Sequence, residues 1–468
     1  MPNSAYPRHI ELGRFALSLR PRFIFFAMVI GIAPVLTAQN APLDKQRMIE
    51  VIQNYVDNRS FMGDVLVAAG DHIVLKAAYG YADLEWSIEN TTDAKFRIGS
   101  LTKQFTATSI LLLQERGKLK VNEPIKTYLP DVPDAWRMVT VDNLLTHTSG
   151  IPNFTGASGF DAYKRQSHSP EESVALVRGK PLDFEPGTKF YYSNTNYILL
   201  GEIIEHVSGM PYADFLRQNI LIPAGMTDTG VDVDSAILPE RARGYDSTPD
   251  GFRHADTISM TIPFSAGFLY STVGDLLKWE RALFAGKIIT ITSLHSMTTA
   301  RLGEYGMGLF IRTTDGHQII THDGTIEGFE SSLTYYPEKQ LTIVVLGNVR
   351  TDAPQRIAVQ LGKVAFGEKV VLNSDRRIVE VQPSILAGYV GRYSAPPFAT
   401  TLSVESGHLI ATAPNGRRYI LYAQSPSSFF LKEIDVQFEF VRDPVSGKIT
   451  GFTMTQDGNV KQVKRDQQ

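Results

Sequence analysis

Ser100-Leu101-Thr102-Lys103 puts a hydroxyl three residues ahead of a primary amine. Residues three apart share a helix face, so Lys103 can reach the Ser100 hydroxyl and activate it without a histidine. In the first turn of a helix, free backbone N–H groups and the positive end of the dipole favour a developing oxyanion. The chemistry this suits is acyl transfer. Two further groupings follow in the chain, Tyr192-Ser193-Asn194 and His322-Asp323-Gly324. Each also has a plain structural reading. Ser100 and Asn194 serve equally as helix caps, Tyr192 as a half-buried core aromatic, and Asp323-Gly324 as hairpin-turn chemistry beside a bystander histidine. The three groupings in this order carry the argument for a site.

The elements around them are legible. Ser100 to Arg116 is rich in helix formers, has an unbroken apolar middle at Ile110-Leu111-Leu112-Leu113 and meets Gly117, which predicts a core helix closed by that glycine. Leu200, Ile203, Ile204 and Val207 form an amphipathic pattern after Asn196 that stops at Gly209. His322-Asp323-Gly324 closes the strand-like Gln318–Thr321 and precedes a second strand, Phe329–Tyr336. Upstream, Asp44–Asp57 is helical in pattern, and Asp64–Ala69 with Ile73–Tyr79 forms a hairpin turned at Gly70-Asp71. Residues 122–187 are punctuated by Pro and Gly and predict loops and short helices. Thr272, with Asp275 three residues on, caps a helix over Leu276–Phe284. Strands resume at Gly308–Arg312, Gln318–His322, Phe329–Tyr336 and Leu341–Leu346. Strands at both ends with helices between predict an α+β domain over residues 44–370, its terminal strands sharing one antiparallel sheet.

With these motifs the chain resembles the penicillin-recognising serine hydrolases, in the branch that holds class C β-lactamases, D-Ala-D-Ala carboxypeptidases, D-aminopeptidases and related esterases. That family carries serine-x-x-lysine, tyrosine-x-asparagine and lysine or histidine-x-glycine in this order. Tyr79–Glu85, Phe96–Ser100, Asn143–Ile151, Pro223–Met226 and Ser265–Gly267 look like further landmarks, so the likeness extends from about Phe61 to about Ala365. The resemblance implies the β-lactamase/transpeptidase-like fold and a set of roles. Ser100 is the acylated nucleophile, and Lys103 and the Tyr192 phenol share its proton, the cation lowering a phenol whose ordinary pKa is near 10. Asn194 holds the substrate amide or Lys103. The backbone N–H groups of Ser100 and Thr325, just past Gly324, form the oxyanion hole, and His322 lines the far wall. His322 stands where class C β-lactamases have lysine. A histidine of ordinary pKa is only partly charged at neutral pH, which weakens any fixed grip on a substrate carboxylate. The expected activity is therefore cleavage of amide or ester bonds by a penicillin-binding-protein-like peptidase or esterase. The alternatives are a class C-like β-lactamase and a catalytically silent module that captures muropeptides or β-lactams.

Composition excludes other classes. The 468 residues carry a formal net charge of -3 with both signs dispersed, so nothing points to nucleic acid, and a small molecule or peptide is the expected partner. There is no cysteine, which removes disulfides and thiolate chemistry, and the ten histidines form no metal-binding array, so neither metal nor cofactor is expected. An α/β-hydrolase would need a Gly-x-Ser-x-Gly elbow, and the chain has none. Arg14, Arg20 and Arg22 precede an apolar run from Phe23 to Leu36, and Leu36-Thr37-Ala38 offers a small residue for cleavage. Residues 1–38 therefore predict a signal peptide and a periplasmic or secreted enzyme without a stable membrane span, a retained anchor being the alternative. Oligomeric state is open. From Tyr389 onward, short alternating runs are separated by Ser406-Gly407, Asn415-Gly416, Ser446-Gly447 and Asp457-Gly458. Residues 385–468 thus predict a small all-β domain, a barrel resembling lipocalin-like modules, with no catalytic grouping of its own.

Overall fold

The computed structural model describes residues 43–248, 251–414, 418–432, 436–456 and 459–466. The expected signal segment and the turn pairs at 415–416 and 457–458 lie outside the described residues. Among the described residues no helix is long and apolar enough to cross a membrane.

Six strands make the central sheet: β1 (Gly63–Ala69), β2 (His72–Tyr79), β3 (Phe310–Thr314), β4 (His317–Ile326), β5 (Phe329–Tyr336) and β6 (Leu341–Gly347). Their spatial order is β3-β4-β5-β6-β1-β2, every pairing antiparallel. The first and last strands of the domain thus meet, Gly63 opposite Gly347 and Ala69 opposite Leu341, as the sequence predicts.

Successive side chains of a strand face opposite ways, and both faces here are apolar because both are covered. Val65, Val67, Ile343 and Val345 pack on two helices, α1 (Lys45–Asp57) and α5 (Ala353–Phe366). Leu66, Ala68, Val344 and Leu346 face the other way, into the large core. There they join α2 (Thr102–Glu115), α3 (Asn194–Ser208) and α4 (Val273–Phe284). In α2 every residue from Thr102 to Leu113 is buried. It ends as predicted: Gly117 takes φ +67, its N–H reaching Gln114 O at 2.9 Å while Lys118 N–H reaches Leu113 O at 2.9 Å. Thr272 caps α4 by accepting from Asp275 N at 3.1 Å.

Two differences from the sequence reading matter. β4 does not close at Thr321 but runs through the His-Asp-Gly motif to Ile326, so the turn lies at Glu327-Gly328 and not at Asp323-Gly324. A side chain at Gly324 would strike Ile98 O at 2.0 Å, so that glycine serves a close approach in mid-strand. The sequence reading also passed over α5. Its signals are present: Pro354 in the first turn, Ile357, Leu361 and Val364 on one face, and Gly367 in the left-handed conformation beyond its end.

The C-terminal segment is a closed antiparallel barrel of eight strands: β7 (Gly391–Ala395), β8 (Phe398–Glu405), β9 (His408–Thr412), β10 (Arg418–Ala423), β11 (Ser428–Phe430), β12 (Val436–Arg442), β13 (Ile449–Gln456) and β14 (Asn459–Arg465). β7 and β14 seal it through Tyr393 opposite Arg465. Closure leaves no free sheet edge, and Leu402, Leu409, Leu421, Phe438 and Phe452 fill the interior. Arg47 on α1 ties down the connecting segment by donating to Val370 O at 2.6 Å and pairing with Asp375.

Candidate active site

Ser100 lies in a 3-10 turn, Gly99–Leu101, immediately ahead of α2 and not in the α-helix proper. It caps nothing, so the plain capping role falls away. The turn is pinned to β4 by glycines on both sides. Gly99 has φ +49, and a Cβ there would meet Thr325 N at 3.0 Å, while Gly324 lies against Ile98 O. Ser331 on β5 donates to Ile98 O at 3.0 Å. Two elements more than 200 residues apart in sequence are thereby locked together, with Thr325 beside the Ser100 turn.

One helical turn on, Lys103 is wholly buried, and three oxygens surround its amine. Nζ is 3.0 Å from Ser100 Oγ, 2.9 Å from Asn194 Oδ1 and 2.8 Å from Ala266 O. No carboxylate pairs with it, so burial alone pushes its pKa well below the usual lysine range. The amide and carbonyl oxygens only accept, so two of the amine's hydrogens go to Asn194 and Ala266; when the amine gives up its third proton, the form that burial favours, its lone pair faces the Ser100 hydroxyl.

Tyr192 sits on the other side of Lys103, whose amine is 4.9 Å from the ring centre. Burial raises its phenol above the ordinary tyrosine value, an effect the neighbouring Ser100 hydroxyl only partly offsets. Burial thus works against the charged form of both groups, opposite to the direction that a phenolate held by a lysine cation requires. Asn194 opens α3 and is held from behind, its N–H donating to Asn153 Oδ1 at 3.1 Å.

His322 departs furthest from expectation. It is buried, with Nδ1 2.6 Å from Asp323 O and Nε2 3.1 Å from the Tyr305 hydroxyl. A carbonyl only accepts, so Nδ1 carries the proton, and Tyr305 must donate to Nε2. Burial and the neighbouring Lys103 bring its pKa down to about 3. The imidazole is therefore uncharged at neutral pH, not partly charged, and both its nitrogens are already engaged.

Beside Ser100 opens a cavity of about 170 Å³, walled by Phe154, Phe160, Ile258, Ile262 and Ile326, with Thr155, Asn194, Thr325 and Glu327 as further polar members. Among the described residues lining it none is Lys or Arg. Lys164 pairs with Glu327 at 2.9 Å. Among the described residues no group of three or more His, Asp or Glu side chains is arranged to hold a metal ion.

The family model described as Beta-lactamase matches residues 48–362, from α1 to α5, and so spans Ser100, Tyr192 and His322 alike. The chain belongs to the Beta-lactamase family. It is 29% identical over 437 residues to penicillin-binding protein 4* of Bacillus subtilis (strain 168), covering 87% of this chain and 96% of that one. A crystal structure of D-amino acid amidase from Ochrobactrum anthropi SV3, complexed with D-phenylalanine, superposes with a TM-score of 0.60 at 28% identity, over 69% of this chain and 98% of that chain. The octameric penicillin-binding protein homologue from Pyrococcus abyssi superposes with a TM-score of 0.66 over 90% of this chain and 100% of that one. At 24% identity that likeness is one of fold.

Within this family frame the structure adds groups the motifs did not single out. Ala266 supplies the third oxygen on Lys103, and Tyr197, 5.4 Å from the amine, closes its apolar side. Tyr305 engages His322. Asn153 carries Asn194. Ser265–Gly267 and Asn143–Ile151 were visible as landmarks, but a main-chain carbonyl or a tyrosine seventeen residues from its partner leaves no pattern in sequence.

Proposed function

We propose that this chain is an exported serine hydrolase that opens amide or ester bonds through an acyl-enzyme on Ser100, a peptidase or esterase of the penicillin-binding-protein kind. The observation that carries this reading is the buried Lys103 amine 3.0 Å from the Ser100 hydroxyl, its charged form disfavoured by burial. Lys103 takes the hydroxyl proton as Ser100 Oγ attacks the carbonyl carbon. The oxygen of the tetrahedral adduct is stabilised by the N–H groups of Ser100 and Thr325. The proton passes by way of the neutral Tyr192 phenol to the leaving amine or alcohol, and the C–N or C–O bond breaks. Water then attacks the ester, delivers its proton back along the same groups and restores Ser100. Asn194 orients the amine and the substrate amide.

The apolar cavity without a cation, together with the neutral, fully engaged His322, favours substrates that do not rely on a carboxylate grip. Likeness to an amidase of D-amino acids supports D-amino acid amides with apolar side chains among them. Export rests on the basic and apolar pattern of residues 14–36. Purified protein should be assayed on short-chain p-nitrophenyl esters, D-phenylalanine amide, a D-Ala-D-Ala peptide and nitrocefin. Turnover of the ester and the amide, exceeding that of nitrocefin, is expected. Labelling at Ser100 without turnover of any of them would replace the enzyme reading by a silent capture module, and preferential nitrocefin hydrolysis would make it a β-lactamase.

A further inference from the structure

Tyr192 stands on a stretch, residues 191–193, that belongs to neither helix nor sheet. Nothing in its own secondary structure holds it in place. Its two flanking N–H groups nevertheless both end on one residue. Tyr191 N–H donates to His147 O at 2.9 Å, and Ser193 N–H donates to His147 Nδ1 at 3.2 Å. His147 thus stands in for a neighbouring strand, gripping the chain on either side of Tyr192. Its ring lies 4.2 Å from the Tyr192 ring, and it is fully buried.

The details fit a fixed clamp. A backbone N–H only donates, so Nδ1 is an acceptor and the imidazole is neutral with its proton on Nε2. The Asn196 amide, 3.3 Å from the same Nδ1, reinforces that tautomer. Protonation of Nδ1 would break both contacts. Burial and the nearby Lys103 depress the histidine's pKa well below its usual value, in keeping with this state. His147 also sits at φ +55, a left-handed conformation that few side chains adopt and that Asn and His tolerate best. Strain held at such a place needs surroundings that over-determine it.

We propose that His147 is a positioning residue: as a neutral acceptor it fixes the backbone on both sides of Tyr192 and so sets the phenol against Ser100 and Lys103. This rests on the acyl-enzyme reading above, in which Tyr192 carries the proton. Two variants separate hydrogen bonding from packing. His147→Phe keeps a ring against Tyr192 but has no acceptor. His147→Asn loses the ring but keeps an acceptor at the Nδ1 position and suits the left-handed backbone. With folding checked by thermal melting, the Phe variant should lose about a hundredfold in kcat with KM little changed, the scale of a misplacement near 1 Å. The Asn variant should stay within about tenfold of wild type.

The double variant with Tyr192→Phe supplies the readout a merely structural role would not move. If His147 acts through Tyr192, adding His147→Phe to Tyr192→Phe should lower kcat by no more than about threefold further. Full multiplication of the two losses would overturn the proposal while leaving the proton role of Tyr192 intact. Full activity in Tyr192→Phe alone would instead sink that role, and the clamp's purpose with it. Should the Phe variant not fold, the Asn variant decides alone: near wild-type kcat supports the clamp, and a hundredfold loss rejects it.

Discussion

Around Lys103 the rings of Tyr192 and Tyr197 lie 4.9 and 5.4 Å from a buried amine. In the barrel Tyr389, Tyr393, Phe440 and Phe452 stack as closely on one another, with ring centres 4.0 to 6.2 Å apart. There the tyrosine hydroxyls end on backbone carbonyls, Tyr389 on Pro426 O and Tyr393 on Tyr389 O. The cations over those rings are Arg442 and Arg465, both reaching solvent. Arginine stays charged and therefore stays at the rim, whereas lysine can enter an apolar site by giving up its proton. Ring packing is worth a similar amount in both places. What separates them is an ionisable group placed where its charged form cannot be solvated, so that its lone pair becomes available to a neighbouring hydroxyl.

The largest test of that contrast removes the chemistry from the first cluster without disturbing its packing. Ser100→Ala should abolish covalent labelling by a fluorophosphonate and cut turnover by about 10⁴-fold or more. Lys103→Met, of similar length but apolar, should lower kcat by about 10³-fold. Its melting temperature should not fall, because the buried amine costs desolvation that a thioether does not. A Lys103→Met protein that is markedly less stable, or still active, would mean that the amine is structural.

The second test breaks the barrel instead. Phe452 is fully buried against Tyr393, Phe438 and Phe440. Phe452→Ala should cost about 3–5 kcal/mol of barrel stability in denaturant titrations. At temperatures where the catalytic domain remains folded, kcat should be unchanged. A parallel loss of kcat would show that the barrel helps shape the site.

The smallest expected effect concerns His322, which shares the aromatic surroundings of Lys103 but has both nitrogens occupied. Its folded-state pKa of about 3 lies below the ordinary histidine value, so the ring gains its charge only as pH falls toward 3. The ratio of kcat/KM for a carboxylate-bearing substrate to that for a neutral ester should therefore stay flat between roughly pH 5 and 9. A fall in the ratio with a midpoint near 6.5 would restore the charged anchor.

Much of this was legible in the chain because it rests on short-range physics. The three-residue spacing of Ser100 and Lys103, the stop at Gly117, the Thr272 cap and the short strand-like runs of β1, β5 and β6 each need only a few neighbouring residues to be recognised. The end of β4 was misplaced because Asp323-Gly324 has turn chemistry, and only the contact with Ile98 reveals why a glycine stands in mid-strand there. The segment carrying Tyr192 has no regular structure of its own, so its supports at His147 and Asn153 belong to a different stretch of chain.

The sequence by itself determined which groups are present, their order and the elements that carry them. Tertiary structure decided which of their charge states is favoured. The same Ser-Leu-Thr-Lys on an exposed helix would hold a charged lysine near pKa 10.4, unable to take a proton. Here α3 and residues 264–267 close over Lys103, place acceptor oxygens on two of its three sides and shut out water. His322 is silenced in the same way, by Tyr305 and its own neighbour's carbonyl. Charge state depends on the solvent and the dipoles around a group, and those come from segments that meet only when the chain has folded.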